Sequence, residues 1–530
     1  MLMGMKARAH VSAIVALCVA VAVACIGFHM PLGLALASAT QGAAFGAVPI
    51  VYIILMAVWF YQVTVVSGRA DDLRAFFDVV GAGDVRIQAM MIAFCFGALL
   101  EALAGFGAPV AITATMILAL GVKARKAALI VLLANTAPVA FGPVGTPITT
   151  AGAMVASGDA AVAVQTAQHV AAIAGYQAPV LAFVVPFLLI FILDGRRGLR
   201  DCWAPTLVVS TTFALAQWWC SNHFAYELTD VVASLLSLGA IVAFMRFWKP
   251  RGVAAARERL GLPTESVQRE SQLTTSRTVM ALMPYLIIVV VFSIGKLGIP
   301  GLLASADIKI PWPLISGGAI LTAAGNDPGT TFTLGLLSTP GTSILVAGII
   351  TTIVLMAFSE NGRYHITVGA AIREIGATVY RMRFSALTII LVLSLAYVMN
   401  FSGQTMSIGQ FLAGSGPAFA FISPVLGWVG TAVTGSDTSS NALFATLQHS
   451  AAQANPVYGS IDPDLFLAAN TMGGVIAKMV SPQSLAIAAV STQVREADIM
   501  RQTLPWSLAL LAGLCCLVFL EATTLNFIIP

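Results

Sequence analysis

Apolar runs long enough to cross a bilayer recur along nearly the whole of this chain, and its basic residues lie in the short polar gaps between them. About 20 apolar residues span the hydrocarbon as a helix. The runs are too long, and too unlike a two-residue alternation, to be barrel strands. Only 9% of residues are charged, against roughly a quarter in a soluble domain. The expected fold is an all-α polytopic membrane protein with about 11 spans plus two broken hairpins, embedded in lipid. The net charge of +4 belongs to the orientation signals of the gaps and implies no nucleic-acid partner.

Charge placement orders the spans. Lys6 and Arg8 hold the amino terminus inside, the run Val11 to Phe28 is an uncleaved span, and the uncharged gap Pro31 to Gln41 fits an outer loop. Gly42 to Val66 returns to Arg69, Arg74 and Arg86, and the next basic cluster is Lys123, Arg125 and Lys126. The apolar segment between them starts and ends on one side, so 88–122 is a hairpin. Gly105, Gly107 and Pro109 supply its turn, because glycine frees the backbone and proline donates no amide. Segment 127–157 is a helix broken near Gly145 and Pro147. Spans Ile173 to Leu193, Ala204 to Cys220 and Val231 to Phe247 complete a first half, 1–240. The stretch 241–280, with Arg246, Lys249, Arg251, Arg257, Arg259, Arg269 and Arg277, is a basic cytoplasmic loop.

In the second half, 281–530, spans near Val279 to Ile294 and Thr342 to Phe358 bracket a Pro/Gly-rich outer stretch, Ile308 to Pro340. A second inside loop carries Arg363, Arg373, Arg381 and Arg383, and Leu387 to Tyr397 leads out. Hairpin 417–450 has no flanking lysine or arginine and opens outward. The broken helix 465–494 then ends inside at Arg495 and Arg501, interrupted near Pro482, and Gly435 breaks the hairpin before it.

The halves resemble one another. Ala134-Asn135-Thr136 and Ala469-Asn470-Thr471 are related by a shift of 335 residues, and Gly97 to Gly105 and Gly427 to Gly435 by a shift of 330. With the opposite charge flanks, this reads as an inverted-topology repeat, an architecture that places a polar solute between interrupted helices.

Ionisable groups inside spans cost roughly 2.5 to 3.5 kcal/mol each, so those in the repeats are candidates for function. Glu101 and Asp437, one beside each hairpin break, are candidate proton-coupling carboxyls, because withdrawal from water suits a carboxyl to a protonation cycle near neutral pH. Asp437 has the alternative role of a helix cap. Lys478 can neutralise a substrate carboxylate, form an internal salt bridge with Asp437 or Glu101, or snorkel to the interface. Asn135, Thr136, Ser439, Asn441, Asn470, Thr471 and Gln483 offer neutral donors and acceptors for a hydroxyl and a carboxylate. Some residues of this kind act as glue between helices. Half-helix amino termini after the breaks add backbone amides for an anion. Seven cysteines and six histidines show no metal spacing, and no metal or cofactor is expected. His449, which closes the second hairpin, is the histidine most worth testing.

The segments FGALLEALAGFGAPVAITATMILALG (Phe96 to Gly121), NTAPVAFGPVGTP (Asn135 to Pro147), TGSDTSSNALFATLQ (Thr434 to Gln448) and ANTMGGVIAKMVSPQSLAIA (Ala469 to Ala488) resemble the bacterial lactate permease family. The resemblance runs nearly end to end. It implies uptake of L-lactate, often of D-lactate and glycolate, by proton symport across the bacterial inner membrane. A sodium-coupled carboxylate transporter is the alternative, since broken hairpins also suit sodium. An intramembrane enzyme is a further one, but no HExxH pair or Ser/His/Asp arrangement supports it.

Overall fold

The computed structural model describes residues 9–69, 72, 83–104, 108–262, 274–295, 303–320, 329–360, 364–458 and 461–529. Lys6, Arg8, Arg74, Gly105, Gly107, Arg269 and Arg363, used above, lie outside these residues. Among the described residues, nine helical stretches are long and apolar enough to cross a membrane. The chain is an all-α polytopic membrane protein. Its one sheet among the described residues is a two-stranded antiparallel pair, β1 (Ile308–Pro311) and β2 (Thr331–Leu334), in the Pro/Gly-rich stretch.

Helices α1 (Ala9–Gly27), α2 (Leu32–Phe45) and α3 (Tyr52–Val66) open the chain. The gap expected as an outer loop, Pro31 to Gln41, is mostly helical in α2. Its Ala- and Leu-rich sequence favours a helix once tertiary packing is available. Gly42 and Gly46 supply that packing: a methyl on either would come within 2.5 Å of the Leu393 carbonyl oxygen or 2.9 Å of the Ile390 Cα. The helix bends before α3 at Val48 (φ −140°), which precedes Pro49 and is therefore biased away from helical backbone.

The first hairpin comprises α4 (Val85–Met90), a π-helical turn (Met91–Phe96), α5 (Gly97–Ala104) and α6 (Ala108–Ala119). The first broken helix is α7 (Ala124–Ala134) and α8 (Thr146–Val155). The following helical stretch, α9 (Ala160–His223), has 64 residues. A straight helix of that length would run about 96 Å, three times the hydrocarbon thickness. It folds at Gly195 (φ 66°, ψ −154°) and Cys202, which gives two spans. α10 (Thr229–Met245) follows, and a short amphipathic helix, α11 (Val253–Leu260), lies within the basic loop.

α12 (Thr275–Gly295), α13 (Pro340–Ala357) and α14 (Val368–Phe401) lead through α15 (Gln404–Ala413) to the second hairpin, α16 (Phe419–Thr434) and α17 (Asp437–Ala454). The second broken helix is α18 (Asp464–Ala477) and α19 (Pro482–Thr492), and α20 (Glu496–Glu521) ends the membrane region. The two repeats interlock. The returning arm of hairpin one, α6, packs on α19, and the returning arm of hairpin two, α17, packs on α8.

Candidate functional site

Both broken helices stop for the same physical reasons. After α7 the chain turns through Asn135 to Pro138 and a 3-10 turn, Val139–Phe141, before Gly145 takes a left-handed conformation (φ 67°) and Pro147 enters the first turn of α8. Proline is tolerated there because its missing amide hydrogen has no intrahelical acceptor. After α18 a 3-10 turn, Lys478–Val480, is followed by Ser481, whose hydroxyl accepts from the Ser484 amide at 3.3 Å, and Pro482 stands in the first turn of α19. Gly435 is also left-handed (φ 83°) between the arms of hairpin two. In hairpin one, Pro109 is the second residue of α6.

Each hairpin sets its acidic residue against a glycine of the broken segment in its own repeat. A methyl on Gly142 would come within 3.1 Å of Glu101 Cγ, and one on Gly474 within 1.9 Å of Asp437 Oδ1. Glu101 is 2% exposed and faces the side chain of Asn135. Asp437 is 3% exposed and accepts from the Thr431 hydroxyl at 3.4 Å. It does not cap α17; Ser436 does, through the Ser439 amide at 3.3 Å. Glu101 Oε2, Asn135 Oδ1, Asp437 Oδ2 and Ser439 Oγ are buried without a hydrogen-bond partner.

Lys478 is 5% exposed, and its Nζ donates to the Gly435 carbonyl oxygen at 2.9 Å. It does not snorkel. Among the described residues it forms no ion pair within 4 Å, yet its charge acts on both Glu101 and Asp437. Gln483 packs beside it, with its Cβ 3.2 Å from a methyl placed on Gly435.

The remaining amides and hydroxyls are engaged with protein. Asn441 Nδ2 donates to the Pro147 carbonyl at 3.0 Å and lies 2.9 Å from Thr471 Oγ1, while Asn441 Oδ1 accepts from Asn470 Nδ2 at 2.7 Å. Asn470 Oδ1 accepts from Gln448 Nε2 at 3.0 Å. The Thr136 hydroxyl donates to the Leu133 carbonyl at 2.7 Å. The two Asn-Thr pairs thus differ: Asn470 and Thr471 are tied to hairpin two, whereas Asn135 keeps an unpartnered oxygen beside Glu101.

Sequence reading missed Thr431, Gln448, Gln217 and Asp230. Asp230, at the start of α10, is fully buried; its Oδ1 accepts from Gln217 Nε2 at 3.0 Å and its charge opposes that of Glu101. A carboxylate at a span end looks interfacial in sequence, and nothing local distinguishes it.

Two cavities border the Pro/Gly-rich stretch, one at Thr331, Phe332, Ser338 and Thr339 and the other at Gly329. The first, of about 210 Å³, is lined by Thr149 and Ala153 of α8, by Tyr226 and by Tyr397. The second, of about 270 Å³, is lined by Met154, Thr446, His449 and Asn400. His449 therefore faces the second cavity and not the carboxyl cluster.

Comparison with known proteins matches residues 1–525 to the family described as L-lactate permease. The chain is 35% identical over 539 residues to the glycolate permease GlcA of Escherichia coli K12, covering 98% of this chain and 92% of that protein. It is 34% identical over 551 residues to the L-lactate permease of Bacillus subtilis strain 168, covering 99% and 94%. It is 34% identical over 542 residues to the L-lactate permease of Escherichia coli K12, covering 100% and 94%.

Proposed function

The chain belongs to the L-lactate permease family, a multi-pass transporter of the bacterial inner membrane, and from that premise we propose that it imports L-lactate and related 2-hydroxymonocarboxylates, including D-lactate and glycolate, by proton symport. The observation that carries the coupling is the buried Lys478 ammonium, which acts on two carboxyls without an ion pair to either.

An ammonium in a dry interior needs a compensating anion. In the empty carrier an ionised Glu101 or Asp437 supplies that charge. When a substrate carboxylate arrives, it takes over the role, and the displaced carboxyl gains a proton. Anion binding and proton binding then favour each other, as linkage requires, and the loaded and empty sites carry the same charge. Asn135, Ser439 and Gln483 contact the substrate, while Thr136, Asn441, Asn470 and Thr471 hold the breaks in register. Gly435, Pro147 and Pro482 keep the broken ends open toward the anion. Alternating access comes from movement of the interlocked, inverted repeats against α1–α3 and α12–α14.

The test is uptake into proteoliposomes under an imposed proton gradient, with a competitor panel of lactate, glycolate, pyruvate and malate. The reading expects lactate-dependent alkalinisation outside, inhibition by glycolate and no effect of replacing sodium. Uptake that survives collapse of the proton gradient and follows sodium contradicts it.

A further inference from the structure

Asp230 belongs to no part of the site as read from sequence, yet hydrogen bonds tie it to that site. Gln217 Nε2 donates both to Asp230 Oδ1 at 3.0 Å and to the carbonyl oxygen of Ala137 at 3.3 Å. Ala137 lies two residues beyond Asn135, the side chain that faces Glu101. Helix α10, which carries Asp230, packs on α5, which carries Glu101. Asp230 is fully buried and Glu101 is 2% exposed, and each has one carboxyl oxygen without a hydrogen-bond partner. Among the described residues no lysine or arginine forms an ion pair with Asp230.

The position of Asp230 along the chain gives this pair a direction. Tyr226 lines the cavity of about 210 Å³, which also borders the stretch expected to lie outside, and bonds Thr149 across 2.9 Å. Tyr226 opens the 3-10 turn Tyr226–Leu228 that leads into α10, and Asp230 is the second residue of that helix. Asp230 is thus joined to the cavity wall along the chain through Tyr226, and to the Glu101 side through Gln217 and the packing of α10 on α5.

We propose that Asp230 is a proton-relay residue between that cavity and Glu101, an inference that rests on the proton coupling proposed above. Two ionised carboxylates this deeply buried oppose each other, so the pair retains one proton and shares it. In the empty carrier the Asp230 carboxyl holds that proton and Glu101 balances Lys478. On substrate arrival the proton passes from Asp230 to the Glu101 carboxylate, and Asp230 is reprotonated from the cavity. One proton enters and one carboxylate is neutralised, with no other reactant. Gln217 steadies the ionised form by donating to Oδ1. The groups that face Asp230 are Glu101 from α5, Gln217 and Cys220 from α9, and Glu227 from the preceding turn through Cys220.

The test compares wild type, Asp230→Asn and Gln217→Leu in proteoliposomes by two assays, lactate counterflow without a gradient and accumulation driven by a proton gradient. Asp230→Asn is expected to retain counterflow while its driven accumulation falls to an internal-to-external ratio of about 1, the uncoupled limit. Gln217→Leu is expected to keep counterflow and to shift the pH profile of driven uptake. Wild-type accumulation and an unchanged pH profile in Asp230→Asn overturn the relay alone. Wild-type uptake that ignores the proton gradient removes the parent reading and the relay with it. If Asp230→Asn does not assemble, Gln217→Leu decides: a shifted profile supports the relay and an unshifted one overturns it.

Discussion

The side-chain amide of Asn441 donates to the backbone carbonyl of Pro147 at 3.0 Å, so a residue of the second hairpin holds the first broken helix at its interruption. The same side chain bonds Asn470 and Thr471 in the second broken helix. One asparagine thus joins the two broken helices, at the interruption of the first and within α18 of the second. Asn441→Ala leaves Asn470 Nδ2 unpaired in a dry interior, which costs about 1–3 kcal/mol. The expected outcome is a lower melting temperature in detergent together with loss of uptake; a wild-type melting curve would show that the contact has no structural weight.

Glycines set how closely the hairpins approach the broken helices. A methyl on Gly427 would lie 1.9 Å from the Asn470 carbonyl oxygen, a backbone atom with no room to yield. Gly427→Ala is expected to destabilise the protein by about 1–3 kcal/mol through overpacking. Gly513, with nothing within 4 Å of an added methyl, is the control, and Gly513→Ala should melt as wild type does. Equal melting temperatures for the two variants would contradict the close approach.

A second set of predictions concerns the ion pairs around Arg86. Arg86 is fully buried and pairs with Asp84 at 2.8 Å, Asp194 at 2.9 Å and Asp201 at 3.1 Å. Removing it leaves buried carboxylates uncompensated, so Arg86→Met is expected to cost about 3–5 kcal/mol and to lower expression sharply. Arg259, also paired with Asp194 but with a more exposed side chain, stands in the range of surface pairs at about 0–1 kcal/mol. Thermal melts of Arg86→Met and Arg259→Ala should therefore differ clearly; matching losses would contradict the burial argument.

Lys478→Met removes the charge that the substrate carboxylate compensates. Its expected phenotype is loss of lactate binding with the protein still assembled, since its single hydrogen bond goes to one backbone carbonyl. Binding of labelled lactate to purified protein measures this, and wild-type affinity in Lys478→Met would remove the assigned role.

Much of the architecture was legible because membrane insertion writes it into the chain locally: apolar length fixes spans, and Gly and Pro mark interruptions. Gly145, Gly435, Pro147 and Pro482 stand at helix interruptions for that reason. The partners of Asn441 were not legible, because its contacts with Pro147 and Thr471 join segments 294 and 30 residues apart. Asp230 was hidden by its place at a helix end, where sequence suggests water and packing by α9 and α5 excludes it. The gap Pro31 to Gln41 reads as a loop from its lack of charge between two spans, and its helix α2 depends on packing against α14, far along the chain.

The most direct test of the account is paired transport by Glu101→Gln in proteoliposomes, with lactate exchange and gradient-driven accumulation measured on the same preparation. A glutamine keeps the size and polarity of the side chain that faces Asn135 but cannot ionise. The account predicts near-normal exchange with no accumulation above the external concentration. Full accumulation by this variant under a proton gradient would contradict it.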